Sequence, residues 1–517
     1  MSAPEVQRRI DTPPLRKPRG PLRTTAEPEW TDLHRQIAAT LLPGFAGTTL
    51  PEWLAKRLRD GLAGVCVFGG NIVSRRQLRT LTDLIRAANP NALVTIDKEG
   101  GDVTRLYYDR GSPYPGNAVL GRIDDVEHTE SVAAIVGWEL RLAGCNLDFA
   151  PDVDINSNPD NPVIGVRSFG SAPELVARHS AAWVRGLQST GVAVSAKHFP
   201  DHGDTAQDSH LALPVIDLSL DRLRARELRP FMAAIDAGAR TIMTSHILLP
   251  QVDPSAPATL SRPDRHSGSG GTRPRRGLRS MVYVGTDNTD NQLGEIEAAI
   301  LAAVAEGRLA AERLADAEAR MLGFVSSLAV DAANIPIPTY VTLDDEPEFD
   351  LARTVAAFDV RPGVRIEPDR VLGALETAVN VAVGESPWGP AASGTAVAHI
   401  RSSASELPSG GQLMIVGEDH HWHDWVRELI DDARVRHPST VIVDMGWPSD
   451  NGAYADIATF GASHHVGRAL LAWLNAAENT GSAARYPLRP SLRVRSHHAA
   501  ASVFSAASSH ASKARPT

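Results

Sequence analysis

The chain has 517 residues, enough at roughly 150 residues per domain for about three units, or for one large domain plus a smaller one. Apolar residues make up 43% and charged residues 22%, the mix of a globular enzyme rather than a fibre or a disordered scaffold. A formal charge of −9, a pI near 6.1 and the lack of any apolar run near the roughly 20 residues of a membrane span argue against nucleic acid and membrane as partners.

Residues 1–33 are basic and proline-rich with no apolar stretch behind them, which predicts a disordered arm rather than a secretory signal, and a cytoplasmic protein. Short apolar runs then alternate with amphipathic helical stretches. The runs are IAATLLPGF (37–45), GVCVFGG (64–70), ALVTIDKEGG (92–101), CNLDFAPDVD (145–154), VAVSAKHFPDHGD (192–204), ARTIMTSHI (239–247) and MVYVGTD (281–287). PELVARHSAAWVRGLQ (173–188) is a representative helical segment, with apolar residues near i, i+3 and i+4. Buried strands alternating with helices predict a parallel sheet, and seven such units over about 290 residues predict an α/β fold of the (β/α)8 TIM-barrel type lacking one βα unit. The two cysteines, Cys66 and Cys145, lie in strand-like surroundings and read as buried reduced thiols.

A closed barrel wants an eighth strand, the seventh in order, between His246 and Met281. Residues 264–280 stand there instead, rich in Arg, Gly and Ser with Leu278 as the one aliphatic residue, and they cannot supply a core strand. The barrel-like domain spans 34–328, with one long helix expected over 295–322. A linker over 329–350 leads to a smaller open-sheet α/β domain over 351–476, with strands at TAVNVAVGES (377–386), QLMIVGED (412–419) and STVIVDMGWP (439–448). A disordered tail over 477–517 follows. Arginine outnumbers lysine 47 to 5, a sign of GC-rich coding in which out-of-frame translation yields Arg, Gly, Pro and Ser; the 264–280 filler and the tail fit that origin.

Five of the predicted strands of the first domain end in polar or ionisable residues: Asp97–Lys98–Glu99, Asp152 and Asp154, Lys197–His198, Ser245–His246, Asp287. In a barrel those ends form the catalytic face. The densest string is KHFPDHGDTAQDSH (197–210), where Pro200 ends a strand, Gly203 permits a tight loop, and Asp208 and His210 return two residues apart. A carboxylate beside an imidazole fixes its tautomer and raises its basicity, which suits a general acid/base near neutral pH. GEDHHWHD (417–424) clusters His420, His421 and His423, but the spacing suits a capped helix start better than a metal set. No metal and no cofactor are expected.

The motifs IDKEGGDVTRL (96–106), NLDFAPDVDINSNPDNPVIGVRSFG (146–170), KHFPDHGDTAQDSHLALP (197–214) and IMTSHILLPQVDP (242–254) resemble those of glycoside hydrolase family three, in its β-N-acetylglucosaminidase (β-N-acetylhexosaminidase) branch, over about residues 35–325. The resemblance implies hydrolysis of terminal β-linked N-acetylglucosamine by a retaining mechanism, with cell-wall fragments as substrates. His210 would be the proton donor and Asp208 its orienting carboxylate. Asp97, Arg105, Arg167, Lys197, His198 and His246 would line the sugar pocket. Asp201 stands where the family has glycine, and Asp102 where it has arginine. The family's nucleophilic aspartate belongs to the seventh strand, and nothing here matches its segment; Asp287 and Asp290 lie one strand away. The chain is therefore expected to be impaired, whether as a gene product that has lost one βα unit or as a noncatalytic sugar-binding or regulatory relative. Without a carboxylate beneath the anomeric carbon the glycosyl-enzyme intermediate cannot form.

Overall fold

The computed structural model describes residues 31–207, 213–261, 280–339, 341–377, 380 and 382–480. Most of the expected arm, nearly all of the 264–280 filler and most of the tail fall outside those residues. The first element is the helix Asp32–Ala38, capped by the Thr31 side chain, which accepts from His34 N. The last is the helix His464–Thr480.

All seven predicted runs of the first domain contain a strand. They are β1 (Leu41–Pro43), β2 (Gly64–Val67), β3 (Leu93–Ile96), β4 (Leu147–Asp148), β5 (Ala193–Phe199), β6 (Thr241–Thr244) and β7 (Val282–Gly285). Strands β2 to β6 form one parallel sheet in sequence order, and β1 pairs in parallel with β7. Successive side chains alternate between two apolar layers, as a pleated strand requires. Val65 and Val67, Val94 and Ile96, and Val194 and Ala196 face the helices. Leu42, Cys66, Leu93, Leu147 and Ala193 instead share an interior cluster with Met321, Val325 and Leu328. Leu42 belongs to β1 and the others to β2–β5, so residues of both sheets share this cluster. Both cysteines are free and buried within these layers.

The helix Pro173–Gln188 shows why the connections are helical. Proline stands at its first turn with Glu174, Arg185 stands in its last, and Val176, Trp183, Val184 and Leu187 are buried on one face. The Trp183 ring also explains Gly100: with φ +86, a Cβ there would lie 2.6 Å from the indole.

Among the described residues no strand lies between β6 and β7. Whereas β2 and β3 are buried throughout, Ile242 on β6 is 36% exposed and Val282 on β7 is 52% exposed.

The single helix expected over 295–322 is two, Asp290–Ala305 and Ala311–Asn334. Gly307 divides them at φ +71, with Gly307 N donating to Val304 O (3.0 Å) and Arg308 N to Ala303 O (2.8 Å), the paired bonds of a Schellman cap. The second helix runs on past residue 329, where a linker was expected.

The second domain is a six-stranded sheet of β8 (Asp359–Val360), β9 (Arg370–Leu375), β10 (Ala398–Ile400), β11 (Gln412–Gly417), β12 (Val441–Asp444) and β13 (Ile457–Ala458), in the order β10-β9-β11-β12-β13-β8. The expected strands at 412–419 and 439–448 are β11 and β12. The one at 377–386 is displaced: the strand is β9, ending at Leu375. Asn380 starts a turn in the expected segment, its carbonyl accepting from Val383 N (3.0 Å) and Gly384 N (2.9 Å).

Candidate functional site

The polar residues beyond the strand ends converge. Asp97 and Glu99, two residues apart after β3, face the same side, while Lys98 points the other way. Fully buried, Lys98 donates to Thr104 Oγ1 (3.0 Å), and its Nζ lies 4.2 Å from the centre of the Tyr114 ring; burial pushes it down to about 8. It serves the core.

Lys197, on β5, reaches Asp97 Oδ1 at 2.5 Å and Glu99 Oε1 at 2.7 Å. Arg167, at the end of a short turn (Gly165–Arg167), donates Nε to Glu99 Oε2 (2.9 Å), Nη2 to Glu99 Oε1 (2.8 Å) and Nη1 to Val163 O (2.9 Å). Its Nη2 is also 3.5 Å from Asp152 Oδ2. Arg105 Nη2 lies 4.0 Å from Asp97 Oδ2. Burial opposes the charge of Asp97, but Lys197 and then Arg105 outweigh it and hold the carboxyl below its ordinary range. Burial likewise opposes Glu99, and Arg167 with Lys197 holds it well below its ordinary range. Asp97 is the opening of this network, its side chain a fifth exposed (20%) while Glu99 is at 2%.

His198 extends the network. Its Nδ1 is 2.7 Å from Asp154 Oδ2, and Asp154 Oδ1 accepts from His198 N and His202 N, both at 3.0 Å. Burial pushes the His198 imidazole down to about 3, so it is neutral at pH 7. With Nδ1–H held by Asp154, Nε2 is left as an acceptor. Burial, then the neighbouring Asp154, raises Asp152 to about 8. Ligand atoms of Asp152, Asp154 and His198 lie within 4.8 Å of one another, as a metal set would require. The Arg167 guanidinium already supplies positive charge there.

Of the residues singled out from sequence, Asp97, Arg105, Arg167, Lys197 and His198 are therefore brought together. His246 follows β6 and is exposed, and none of the contacts described above includes it. Asp208 and His210 lie outside the described residues. Asp287 is exposed, and Asp290 faces Arg57 (2.7 Å). Glu99, Asp152 and Asp154 were legible as strand-end carboxylates but not as parts of one site; Glu99 proves to be its hub. His420–Trp422 forms a short turn ahead of the helix Asp424–Arg436, so the expected helix start is present, but its N-cap residue His423 makes no side-chain cap bond.

The two departures each have a local structure. Asp201 adopts φ +156, a region that favours glycine, and is fully buried; its carboxylate accepts from Ile155 N and Gly203 N, both at 2.9 Å. Asp102 accepts from Ala462 N of the second domain at 3.1 Å.

The arrangement presents cation-anchored carboxylates and a neutral imidazole, groups that can grip several hydroxyls of one small ligand. Comparison with known proteins bears on which ligand. Residues 46–263 match the Glycosyl hydrolase family 3 N terminal domain. The chain is similar to Beta-hexosaminidase of Xylella fastidiosa (strain M23), 37% identical over 254 residues, covering 47% of this chain and 73% of the relative. It is 38% identical over 222 residues to Beta-hexosaminidase A of Pseudoalteromonas piscicida, covering 41% of this chain but only 37% of that protein's length. Among solved structures, a glycoside hydrolase family 3 beta-N-acetylglucosaminidase from Paenibacillus sp. str. FPU-7 superposes with a TM-score of 0.71 at 27% identity, over 86% of this chain and 96% of that one.

Proposed function

The chain belongs to glycosyl hydrolase family 3, and on that premise we propose that it is a glycoside hydrolase of the β-N-acetylhexosaminidase type, directed at terminal β-linked N-acetylglucosamine and impaired in turnover. The observation that carries the reading is Lys197 of β5 bridging Asp97 and Glu99 beyond the end of β3, with Arg167 of the Gly165–Arg167 turn forked onto Glu99. In this reading Asp97 accepts from a sugar hydroxyl, Lys197 and Arg105 donate, and the bare Nε2 of His198 accepts. His246 lines the far side of the pocket. His210, oriented by Asp208, protonates the leaving oxygen and then deprotonates the acceptor.

The impairment follows from the missing partner. Retention needs a second carboxylate placed to attack the anomeric carbon, about 5–5.5 Å from the acid/base in ordinary carboxylate pairs. Asp97 and Glu99 are tied to cations, and Asp154 is tied to His198 and His202, so we assign none of them that role. We read β1–β7 as a (β/α)8-type barrel without its seventh βα unit, the unit that carries the nucleophile in the family. Calorimetric titration with N-acetylglucosamine tests the recognition half: saturable heat that is lost in Lys197→Met supports it, and no heat refutes it. The second reading, a noncatalytic sugar-binding relative, is favoured by the exposed flank at Ile242 and Val282. A small amount of chromogenic β-N-acetylglucosaminide hydrolysis that disappears in His210→Ala would decide for the enzyme.

A further inference from the structure

Arg105 is held by the second domain. Its Nη2 donates to Ala382 O at 2.9 Å and its Nη1 to Val383 O at 3.3 Å. The guanidinium of this side chain, 11% exposed, thereby stands 4.0 Å from Asp97 Oδ2. Neither carbonyl belongs to a strand; Asn380 places them. Its Oδ1 accepts from Ala382 N (2.9 Å), and its main-chain carbonyl accepts from Val383 N and Gly384 N. On the other side its Nδ2 donates to Pro162 O (3.0 Å) and Val163 O (3.3 Å) of the first domain. Val163 O is the same atom that receives Arg167 Nη1. The turn is pinned a second time where Glu385 N donates to Tyr108 Oη (2.9 Å), three residues beyond Arg105.

We propose that Asn380 is a positioning residue for the sugar site: by bonding to the 162–163 backbone and to the N–H groups of Ala382, Val383 and Gly384, it fixes Arg105 beside Asp97, so that ligand affinity depends on a residue across the domain boundary. This rests on the assignment of Asp97, Lys197 and Arg105 to sugar binding. The chemistry favours such a device, because a guanidinium is a rigid fork whose bonds fail when it shifts. Main-chain carbonyls can also orient it without the competing charge a carboxylate would add. Unlike Arg105, Asn380 is not assigned any contact with the sugar.

The test is calorimetric titration of the full chain with N-acetylglucosamine, in the parent, Asn380→Ala, Arg105→Lys and the double variant, each checked for an unchanged melting transition. Asn380→Ala is expected to weaken binding about tenfold, equivalent to about 1.4 kcal/mol. In the Arg105→Lys background the same change is expected to cost less than about twofold, because lysine cannot use the two carbonyls as a fork. A purely structural role would give the same loss in both backgrounds and overturn the proposal. Parent-like affinity in Asn380→Ala overturns it alone, whereas no binding by the parent overturns the site assignment and this inference with it.

Discussion

Arg167 and Glu99 form a forked ion pair in which both guanidinium–carboxylate bonds are shorter than 3 Å and the side chains are 4% and 2% exposed. A buried pair of this kind costs solvation to assemble and more to break. Lys197 adds a second cation to the same carboxylate, at 2.7 Å from Glu99 Oε1. Lys197, Arg167 and Arg105 surround the two carboxylates, and Asp97, the more exposed of the two, is held ionised.

Breaking that pair should be costly. Arg167→Met leaves Glu99 with Lys197 alone, and the chain should lose about 3 kcal/mol of stability. Urea denaturation would read this as a lower midpoint with an unchanged slope.

Lys197→Met should act mainly on binding. It removes the donor nearest Asp97 and leaves Arg105 at 4.0 Å as the closest remaining cation. N-acetylglucosamine affinity should fall at least tenfold (about 1.4 kcal/mol). Because Asp97 then loses the main charge holding its carboxyl down, its titration should move upward, which carboxyl NMR would detect.

Asp102 should give the domain contact a pH dependence of the opposite sign from Asp97. Burial raises Asp102 to about 6; the backbone N–H groups of Ala462 and Ser463 oppose that rise, while the charge of Glu99 adds to it. Across the contact, Glu418 is raised well above the ordinary range by burial, then by Asp102, Asp419 and Asp444. A carboxyl whose folded value exceeds its unfolded one favours folding below the unfolded value, and that contribution is lost as pH rises through about 6. Asp102→Asn should therefore nearly match the parent near pH 4 and exceed it at pH 7 by about 3 kcal/mol. Melting temperatures across that range check it.

The flank between β6 and β7 should promote self-association. Ile242 and Val282 present partly exposed apolar side chains on strands with no neighbour on that side among the described residues. Val282→Lys should lower concentration-dependent light scattering without loss of melting temperature.

Much of this was legible in the sequence. The runs that hold β2 to β4 are legible because parallel strands buried on both faces read as continuous apolar stretches; β6 and β7 keep the apolar pattern although they are partly exposed. The turn at Asn380 was not legible, since its apolar neighbours imitate a strand and only the side-chain bonds to Pro162 and Val163 reveal its purpose. Strands β8 and β13, two residues each, are too short to leave a periodic signal. Lys98 and Lys197 looked alike as lysines inside motifs. Their opposite fates follow from strand alternation and from which one meets Tyr114 and which meets Asp97. The hub role of Glu99 needed the register of β3 against its neighbours, which spacing alone does not fix.

The central claim is that the chain retains the grip on its sugar while lacking the group that attacks it. Steady-state release of 4-nitrophenol from 4-nitrophenyl β-N-acetylglucosaminide measures this most directly. The account predicts release several orders of magnitude below the roughly 1–1,000 per second typical of enzymes, at sugar concentrations that saturate the calorimetric site. Turnover within that ordinary range would contradict it.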